Sequence, residues 1–468
     1  MKSRDGKDIW AFFEPRSVAI FGSLKDGMGL GYGAIKNMLD FGFQGKLYPV
    51  NPSGGDVLGL KAYSSMDELS GSIDLAIVIT PPLTVPAIME QCAQKGIKAA
   101  VIVSENFAEA GDGGPQLQQQ LVDITNRTGI RIIGPNTVGV FNFANGLVTI
   151  PYMIGYKDIR KGGIACCSQT GIAAAQCQPL GDRAYPISKM CDFGNKCDVN
   201  EVDLLNYLSD DPDTQVVVMH LEDVKDGRSF IDAARTIASH KPLFILKPGR
   251  SEAGARASAS HTGSLAVSDR IYDSAMKQVG AIRVNTWQEY WDIPKVFAYQ
   301  PLPTGNRIAI VSHSGGAGVI ATDAAVEAGL VMANFSDVTL AKLVGLSPRL
   351  ARNPIDLGPA LSLADAPFSL QEEIIAMVLD DANVDCATIV LYGGVMSPVQ
   401  LVVEMFDRLK QRISKPVTIW FYGTQLSLLE EMSRQLEERG FPTYTDLETA
   451  VKALGALVAY SQFKRNLR

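Results

Sequence analysis

The stretch IVSHSGGAGVIATDAA, residues 310–325, combines the three parts of one α/β unit. Apolar residues come first, a loop of serine, histidine and glycine follows, and an alanine-rich run of helical length ends the stretch. The stretch CCSQTGIAAA, residues 166–175, has the same order about one domain length earlier. A buried strand followed by a small-residue loop and a helix is typical of parallel α/β sheets. We therefore predict an internal repeat of a strand–loop–helix unit.

Runs rich in valine and isoleucine alternate with stretches of helical length through almost the whole chain, which predicts three α/β modules. The predicted strands of the first module are SVAIFG (17–22), KLYPVN (46–51), DLAIVIT (74–80), AAVIVS (99–104) and RIIG (131–134). Those of the second are GGIACCS (162–168), AYPISKM (184–190), QVVVMHLE (215–222), PLFILKPG (242–249) and AIRV (281–284). Those of the third are RIAIVS (307–312), CATIVLYGG (386–394) and PVTIWFYG (416–423). Between the last two modules, AYQPLPTGNR (298–307) has the prolines and glycine of a linker.

The composition excludes several functional classes. Of 468 residues, 43 are lysine or arginine and 50 are aspartate or glutamate, and the resulting net charge of −7 argues against nucleic acid or an anionic membrane as the main partner. The charged N-terminus has no signal-peptide pattern, and no apolar run reaches the roughly 18 residues that a membrane span needs. The seven cysteines form no C-x-x-C pair. We therefore expect a cytoplasmic protein with reduced cysteines and no metal site.

The two repeated loops have the character of anion sites. Such a loop directs unpaired backbone N–H groups and the positive end of a helix at one point, which suits a phosphate without a positive side chain. One loop alone is equally well explained as a helix cap. His261 lies between the two loops in the sequence, in ARASASHTGSLAVSD (255–269), where small neighbours leave the ring open to a substrate. Two equivalent loops together with such a histidine favour phosphate chemistry.

The first module has a glycine-rich loop after its first strand. Gly29, Gly31 and Ala34 satisfy G-x-G-x-x-A between a strand and a helix, which is typical of dinucleotide binding. Two features argue against NAD: the glycines come late after the strand, and the second strand ends without the acidic residue that binds the ribose. Lys25 adds a cation that suits a phosphate-rich ligand. A glycine loop that binds nothing remains an alternative.

A series of motifs in this order and spacing resembles the α subunit of the ADP-forming acyl-CoA synthetases, which are relatives of succinyl-CoA synthetase. The motifs are SVAIFGSLKDG, VNPSGGDVLGLKAY, ITPP, FAEAG, GPNTVGVFN, SQTG, FGNKCDVNEVDLL, HLEDVKDGR, SHTGSLA, SHSGGAGV and NPIDLG. The resemblance spans essentially the whole chain. It implies three doubly wound α/β domains: a Rossmann-like CoA-binding domain over 1–145 and two flavodoxin-like domains over 146–298 and 303–468.

The resemblance also implies roles for individual residues. His261 matches the histidine that carries phosphate, and Glu222 matches the carboxylate that hydrogen-bonds to its ring and orients it. The residues that match the two phosphate-binding loops are Ser168, Thr170, Gly171, Ser314, Gly315 and Gly316. The residues that match CoA contacts are Gly22, Ser23, Lys25, Asn51, Pro52, Thr80, Pro81, Ser104 and Asn106.

The implied reaction converts acyl-CoA, ADP and phosphate into a small carboxylate, ATP and coenzyme A. Phosphate attacks the thioester to give an acyl phosphate, His261 takes the phosphoryl group, and the phosphohistidine passes it to ADP. We find no ATP-grasp domain in the sequence. The resemblance therefore implies that Mg-ADP or Mg-ATP binds to an ATP-grasp β subunit, in an α2β2 assembly.

Three alternatives stay open at this point. His313 lies in the third module's loop, where the family often reads N-A-G-G-P-G, and it competes with His261 for the role of phosphate carrier. The chain could instead be a non-catalytic CoA-binding or regulatory homologue, although His261 and Glu222 are both present. An NAD-dependent oxidoreductase built on the first module is the third alternative.

Overall fold

The computed structural model describes residues 6–111, 113–152, 161–173, 185–262, 269–362, 364–394 and 397–467. The chain forms two compact units, Met1–Asn285 and Thr286–Arg468. The first unit contains two large sheets and a two-stranded hairpin, and the second unit contains one large sheet. The domain boundaries at 145/146 and 298/303 stay predictions. No helix in the described ranges is long and apolar enough to cross a membrane.

The first sheet consists of five parallel strands in the order β2-β1-β5-β6-β7. Its elements are β1 (Ser17–Gly22), α1 (Leu30–Asp40), β2 (Lys46–Val50), β3 (Gly55–Val57), β4 (Leu60–Ala62), β5 (Leu75–Ile79), α2 (Val85–Gln94), β6 (Ala99–Ile102), α3 (Gly114–Thr128) and β7 (Arg131–Ile133). β3 and β4 form a separate antiparallel hairpin. The strand order reverses between β1 and β5, and open α/β sheets bind ligands at the carboxyl ends beside such a switch point.

The second sheet has seven strands in the order β14-β13-β12-β10-β11-β8-β9. Its elements are β8 (Val140–Asn142), β9 (Leu147–Val148), β10 (Lys161–Ser168), β11 (Ile187–Asp192), α4 (Glu201–Asp210), β12 (Val216–His220), α5 (Gly227–Ala238), β13 (Leu243–Leu246), α6 (Glu252–Thr262), α7 (Asp269–Val279) and β14 (Ile282–Val284). The strands β10 to β14 are parallel and follow the flavodoxin-like order. Their switch point lies between β10 and β12, whereas β8 adds an antiparallel strand beside β11.

The third sheet has the parallel order β16-β15-β18-β19-β20, with β17 beside the carboxyl end of β15. Its elements are α8 (Trp287–Asp292), α9 (Lys295–Tyr299), β15 (Arg307–Ser312), α10 (Gly315–Glu327), β16 (Val331–Met332), α11 (Asp337–Leu346), β17 (Ile355–Asp356), α12 (Gly358–Leu361), α13 (Pro367–Asp380), β18 (Cys386–Tyr392), α14 (Val399–Lys410), β19 (Val417–Tyr422), α15 (Leu426–Glu438), β20 (Thr443–Tyr444) and α16 (Leu447–Asn466). The side chain of Asn353 bridges the gap between β16 and β17. It accepts from the Ile310 N–H at 3.0 Å and donates to the carbonyls of Ile308 and Ala333.

Every strand predicted from the sequence is present, with bounds that differ by a few residues. The inner strands are buried along almost their whole length, as expected when helices cover both faces of a parallel sheet, whereas the edge strands β2 and β14 are partly exposed. The strands that the sequence did not predict are β3, β4, β8, β9, β16, β17 and β20, and each is only two or three residues long. Such segments are too short for a hydrophobic period to distinguish them from loop.

The predicted linker is held against the rest of the second unit. Ala298 and Tyr299 belong to α9, and irregular chain follows as far as β15. The Ser461 hydroxyl donates to the Pro303 carbonyl at 2.8 Å, and the Arg465 guanidinium donates to the Thr304 carbonyl. This segment is therefore packed onto α16. Side chains of that helix donate to backbone carbonyls of the segment that lie outside any helix or sheet.

A buried ion pair joins the first and second sheets. Arg131, on β7, donates from Nε to Asp198 Oδ2 at 2.8 Å, and its Nη2 lies 3.1 Å from Asp203 Oδ1. The same Asp198 oxygen accepts the Ile132 N–H at 2.9 Å. The side chains of Arg131 and Asp198 are only 5% and 9% exposed. Removing one partner of such a pair leaves an uncompensated charge inside the protein.

Replacing Asp198 with alanine is expected to lower the free energy of unfolding by about 3 kcal/mol, because the buried guanidinium of Arg131 loses its closest carboxylate. Urea titration measures the loss. The matched control is Asp232→Ala, which breaks the exposed pair with Arg235 and is expected to cost less than about 1 kcal/mol. Equal losses in the two variants would show that the Arg131 pair does not join the sheets.

Candidate functional site

The loop after β10 is a turn built by one serine hydroxyl. Ser168 Oγ accepts the Thr170 N–H at 2.9 Å and donates to the Thr170 carbonyl at 2.9 Å. Its carbonyl accepts the Phe193 N–H at 2.8 Å, and its side chain is buried. The turn brings Thr170 and Gly171 to the carboxyl edge of the sheet, where Gly171–Ala173 forms a 3₁₀ turn. The alanine-rich helix predicted beyond it falls on residues 174–184, outside the described residues.

Gln169 ties this turn to the loop after β12. Its Oε1 accepts the backbone N–H of Glu222 at 2.7 Å and that of Asp223 at 3.1 Å. Its Nε2 donates to Asp223 Oδ1 at 2.6 Å. The two loops that flank the switch point therefore form one hydrogen-bonded unit. Gln169 and Asp223 were not predicted as site residues, although both lie inside the motifs SQTG and HLEDVKDGR.

A buried lysine, Lys196, is paired with Asp223. Lys196 Nζ lies 2.7 Å from Asp223 Oδ1 and 3.1 Å from Glu201 Oε2, and it donates to the Asp223 carbonyl at 2.9 Å. Burial opposes ionisation of Asp223, but the hydrogen bond and charge of Lys196 outweigh it, so the pKa of Asp223 lies below its ordinary value. Asp223 is therefore ionised near neutral pH. Nothing local in the sequence distinguishes Lys196 from a surface lysine.

Two more charged residues lie at this edge. Burial raises the pKa of Asp192 to about 6, although its carboxylate accepts the N–H groups of Val138 and Gly194. Lys247 follows β13, and burial lowers its pKa while the charges of Asp223 and Glu222 oppose that shift. We expected phosphate to be held here without a positive side chain. That expectation stays a prediction; of the lysines at this edge, Lys196 is paired with the carboxylates of Asp223 and Glu201.

The chain segment that carries His261 starts from the same edge. α6 begins six residues beyond the end of β13, and the Ser251 hydroxyl accepts the Gly254 N–H at 3.0 Å in its first turn. His261 falls in the last turn of α6, but its side chain and residues 263–268 lie outside the described residues. Glu222, the predicted partner of His261, lies two residues beyond β12 with its side chain half-buried.

The third sheet repeats the serine turn. Ser312 Oγ accepts the Ser314 N–H at 3.0 Å and donates to the Ser314 carbonyl at 2.7 Å. Ser312 pairs with Val390 in the sheet as Ser168 pairs with His220. The predicted repeat is therefore present in hydrogen bonds as well as in sequence.

The repeat also defines the counterpart of Gln169, which is His313. His313 Nδ1 accepts the backbone N–H of Tyr392 at 3.0 Å, and Tyr392 is two residues beyond Val390 as Glu222 is two beyond His220. The other ring nitrogen, Nε2, therefore carries the hydrogen and lies 2.9 Å from Gln371 Oε1. Burial lowers the pKa of His313, and only the bond to Gln371 opposes this. Both ring nitrogens of His313 are hydrogen-bonded, one to Tyr392 of β18 and the other to Gln371 of α13. His313 therefore has no nitrogen open to a phosphoryl group.

The loop after β15 begins α10. The Ser314 hydroxyl caps the helix by accepting the Ala317 N–H at 3.4 Å. Gly315 lies close to the Asp356 carboxylate, since a Cβ at this position would be 3.0 Å from Oδ2. A cavity of about 260 Å³ borders the loop, lined by Ser314, Gly315, Gly318, Val319, Arg352, Pro354, Ile355 and Asp356. The predicted loop residues thus face open space at a helix N-terminus.

At the edge of the first sheet, two loops are joined by Asn51. Its Nδ2 donates to the Gly22 carbonyl at 2.9 Å, and its Oδ1 accepts the Ser53 N–H at 3.0 Å. Gly29 caps α1 and has no room for a side chain, because a Cβ would lie 2.3 Å from the Ser23 carbonyl oxygen. Ser23 and Lys25 are exposed on this loop.

The strands β5 and β6 are joined beside it. Ser104 Oγ donates to the Thr80 carbonyl at 2.6 Å and accepts the Thr80 N–H at 3.2 Å, so its buried hydroxyl is used within the sheet edge. Asn106 has a left-handed backbone, with φ 68°, and Glu109 accepts its N–H at 2.7 Å. The nine predicted CoA residues all lie at the carboxyl ends of β1, β2, β5 and β6, which is the edge beside the switch point.

Comparison with known proteins agrees with this arrangement. Residues 16–142 match the family described as CoA binding domain, and residues 161–297 match the succinyl-CoA ligase like flavodoxin domain. The α subunit of acetate–CoA ligase [ADP-forming] II from Pyrococcus furiosus is 36% identical over 455 residues, which cover 96% of this chain and 96% of that protein. The chain belongs to the ADP-forming acetate–CoA ligase family.

Two more members of this family extend the comparison. The acetate–CoA ligase [ADP-forming] II of Archaeoglobus fulgidus is 35% identical, and the match covers 97% of this chain and 67% of that protein. The solved structure of a dinucleotide-forming acetyl-coenzyme A synthetase from Ca. Korarchaeum cryptofilum, in complex with phosphate and ADP, has a TM-score of 0.87 at 31% identity and covers 97% of both chains. The resemblance and the doubly wound fold are confirmed, and the first domain belongs with CoA-binding rather than NAD-binding domains.

Replacing His313 with glutamine is expected to leave the thermal stability of this ligase-family chain close to that of the wild type. Glutamine makes the equivalent bonds at position 169, where its oxygen accepts backbone N–H groups and its nitrogen donates to a side chain. His313→Ala is the comparison variant. It is expected to cost about 1–3 kcal/mol, because Tyr392 N–H and the buried Gln371 amide lose their partner. If His313→Gln is as destabilising as His313→Ala, positions 169 and 313 are not equivalent.

Proposed function

We propose that this chain is the α subunit of an ADP-forming acyl-CoA synthetase that interconverts acyl-CoA, ADP and phosphate with carboxylate, ATP and coenzyme A. The observation that carries the proposal is the bonding of the Ser168 turn to the Glu222 loop at the switch point of the second sheet. A phosphate-binding turn and a carboxylate are thereby fixed side by side, at the edge from which the His261 helix starts.

In the proposed reaction, coenzyme A binds at the edge of the first sheet. Its phosphates are held by the Gly22–Gly29 loop, with Lys25 supplying charge, and its other contacts come from the loops after β2, β5 and β6. The residues proposed for these contacts are Gly22, Ser23, Lys25, Asn51, Pro52, Thr80, Pro81, Ser104 and Asn106. For Ser104 and Asn51, whose side chains hold the loops together, we propose that the contact is through the loop that each one shapes.

Phosphate then attacks the thioester carbonyl, and the thiolate of coenzyme A leaves, which gives an acyl phosphate. His261 attacks phosphorus, the bond between phosphorus and the acyl oxygen breaks, and the carboxylate is released. We propose that the turn formed by Ser168, Thr170 and Gly171 binds the phosphoryl oxygens, with the Thr170 N–H itself held by Ser168 Oγ inside the turn. We propose that Glu222 accepts the hydrogen on the other ring nitrogen of His261 and supports the imidazolium of the phospho-form. Ser314, Gly315 and Gly316 form the second proposed phosphate-binding loop.

The nucleotide step requires a second polypeptide in this proposal. The chain matches the named α subunit from Pyrococcus furiosus over nearly its full length but spans only 67% of the Archaeoglobus fulgidus protein. We infer that the remaining third of that protein corresponds to a separate β subunit here. The proposed β subunit is an ATP-grasp protein that binds Mg-ADP or Mg-ATP, and the proposed assembly is α2β2.

Incubation of the chain with acetyl-CoA and radiolabelled phosphate is expected to produce an acid-labile, base-stable phosphoryl label. His261→Asn should abolish the label, because no other ring nitrogen is proposed to accept the phosphoryl group. Glu222→Gln should slow its formation by about 100-fold, because the ring loses the charge that orients it. Quenched-flow labelling measures both rates.

His313→Gln is the control for this experiment, and it should keep the label. If the label instead disappears with His313→Gln and persists with His261→Asn, the proposed phosphate carrier is wrong. An unchanged labelling rate in Glu222→Gln would remove Glu222 from the proposed mechanism.

Purified alone from a host without a homologous β subunit, the chain is expected to form no thioester from ATP, coenzyme A and acetate. Addition of an ATP-grasp β subunit of this family should give turnover, because phosphoryl transfer from ATP needs the nucleotide at near-contact distance from His261. A coupled assay for ADP release measures the turnover. Robust activity of the chain alone would show that the nucleotide site lies on this chain.

A further inference from the structure

The amide of Gln169 can adopt only one orientation in its hydrogen-bond network. The backbone N–H groups of Glu222 and Asp223 can only donate, so the atom that faces them is the amide oxygen. The ionised Asp223 carboxylate can only accept, so the atom that faces it is the amide nitrogen. Asp223 therefore prevents the amide from rotating by 180°, which would direct its NH2 group at two other donors.

Lys196 in turn fixes Asp223. The lysine is 4% exposed and has a left-handed backbone, with φ 52°, which few residues other than glycine adopt. Its ammonium group bridges Asp223 to Glu201 in the first turn of α4, so the contact reaches a regular element of the fold. A buried charge and an unusual backbone at one residue are together costly, and such features persist where the surroundings require them.

Comparison of Gln169 with its counterpart His313 separates a structural role of the residue after the serine from a functional one. In the third sheet His313 makes the same two kinds of bond, but the backbone N–H that it holds belongs to Tyr392. In the second sheet the held N–H belongs to Glu222, the one carboxylate assigned to the ring of His261. The group that orients the side chain after the serine is also charged in the second sheet. The ion pair of Asp223 and Lys196 takes the place that the neutral Gln371 has in the third sheet.

We propose that Gln169, oriented by Asp223 and Lys196, is the positioning residue that fixes the Glu222 backbone beside the phosphate turn for phosphoryl transfer. The inference rests on the proposed function, because it needs Glu222 to act on His261. Two hydrogen bonds hold the backbone of residues 222 and 223 to the residue between Ser168 and Thr170. Without them the carboxylate and the turn can move apart, and a displacement of about 1 Å costs on the order of 100-fold in rate.

The test compares phosphohistidine formation in Gln169→Ala and in wild type, with acetyl-CoA and radiolabelled phosphate. The expected result is a rate about 10- to 100-fold lower with an unchanged KM for acetyl-CoA, because the CoA loops are untouched. The structural control is Ser188→Ala, which removes a buried 3.0 Å hydrogen bond to Thr214 in the same sheet, away from its carboxyl edge. This variant should lose stability but keep the wild-type rate.

Two further variants separate positioning from general destabilisation. In a Glu222→Gln background, Gln169→Ala should have almost no further effect on the rate, because the residue acts through the carboxylate that is already lost. Gln169→His introduces the residue of the third sheet and should recover at least a third of the wild-type rate. This second variant keeps the test decisive if Gln169→Ala does not fold.

The outcomes distinguish the inference from the function on which it rests. If the wild-type chain acquires no phosphohistidine, the proposed function fails. If the wild type is labelled normally but Gln169→Ala is labelled at the same rate, only the inference fails. The inference also fails if the rate losses of Gln169→Ala and Glu222→Gln multiply fully in the double variant. It fails as well if Gln169→His forms phosphohistidine as slowly as Gln169→Ala does.

Discussion

A serine hydroxyl at the end of a strand, bonded to both backbone groups of the residue two positions later, is the interaction on which both flavodoxin-like sheets depend. It ends β10 at Ser168 and β15 at Ser312, and it holds both the N–H and the carbonyl of Thr170 or of Ser314 within a tight turn. In the third sheet α10 starts directly from this turn. Because the bond is local, two short sequence motifs are enough to form it, which is why the repeat is visible in the sequence.

The two copies of the turn differ in the residue that follows the serine and in the groups to which that residue is bonded. The residue after the serine holds the backbone of the neighbouring strand end in both sheets, as glutamine in one and histidine in the other. The strand end presents Glu222 in the second sheet and Tyr392 in the third. The copy in the second sheet is therefore bonded to charged side chains, whereas the copy in the third sheet is bonded to the neutral Gln371. His313, which the sequence offered as a competing nucleophile, is explained by this equivalence.

The sequence predicts the long strands, because four or more consecutive apolar residues are a strong signal, and the resemblance adds the site motifs. It does not predict the partners of Gln169, Lys196 and His313, since each pairs with groups from distant parts of the chain. Nor does it show that Lys196 is buried, because a buried and a surface lysine look the same in a motif. Ser104 illustrates the same limit: its position at a strand end is predictable, but the use of its hydroxyl between β5 and β6 is not.

The central claim is that phosphate, not water or a side chain, attacks the thioester at the edge of the second sheet. The most direct measurement is the isotopic composition of the carboxylate released in a single turnover with acyl-CoA and fully ¹⁸O-labelled phosphate. Attack by phosphate forms the acyl–oxygen bond, and transfer to His261 breaks the bond between that oxygen and phosphorus. The account predicts that mass spectrometry finds one ¹⁸O atom in each carboxylate molecule. Carboxylate without phosphate-derived oxygen would contradict it.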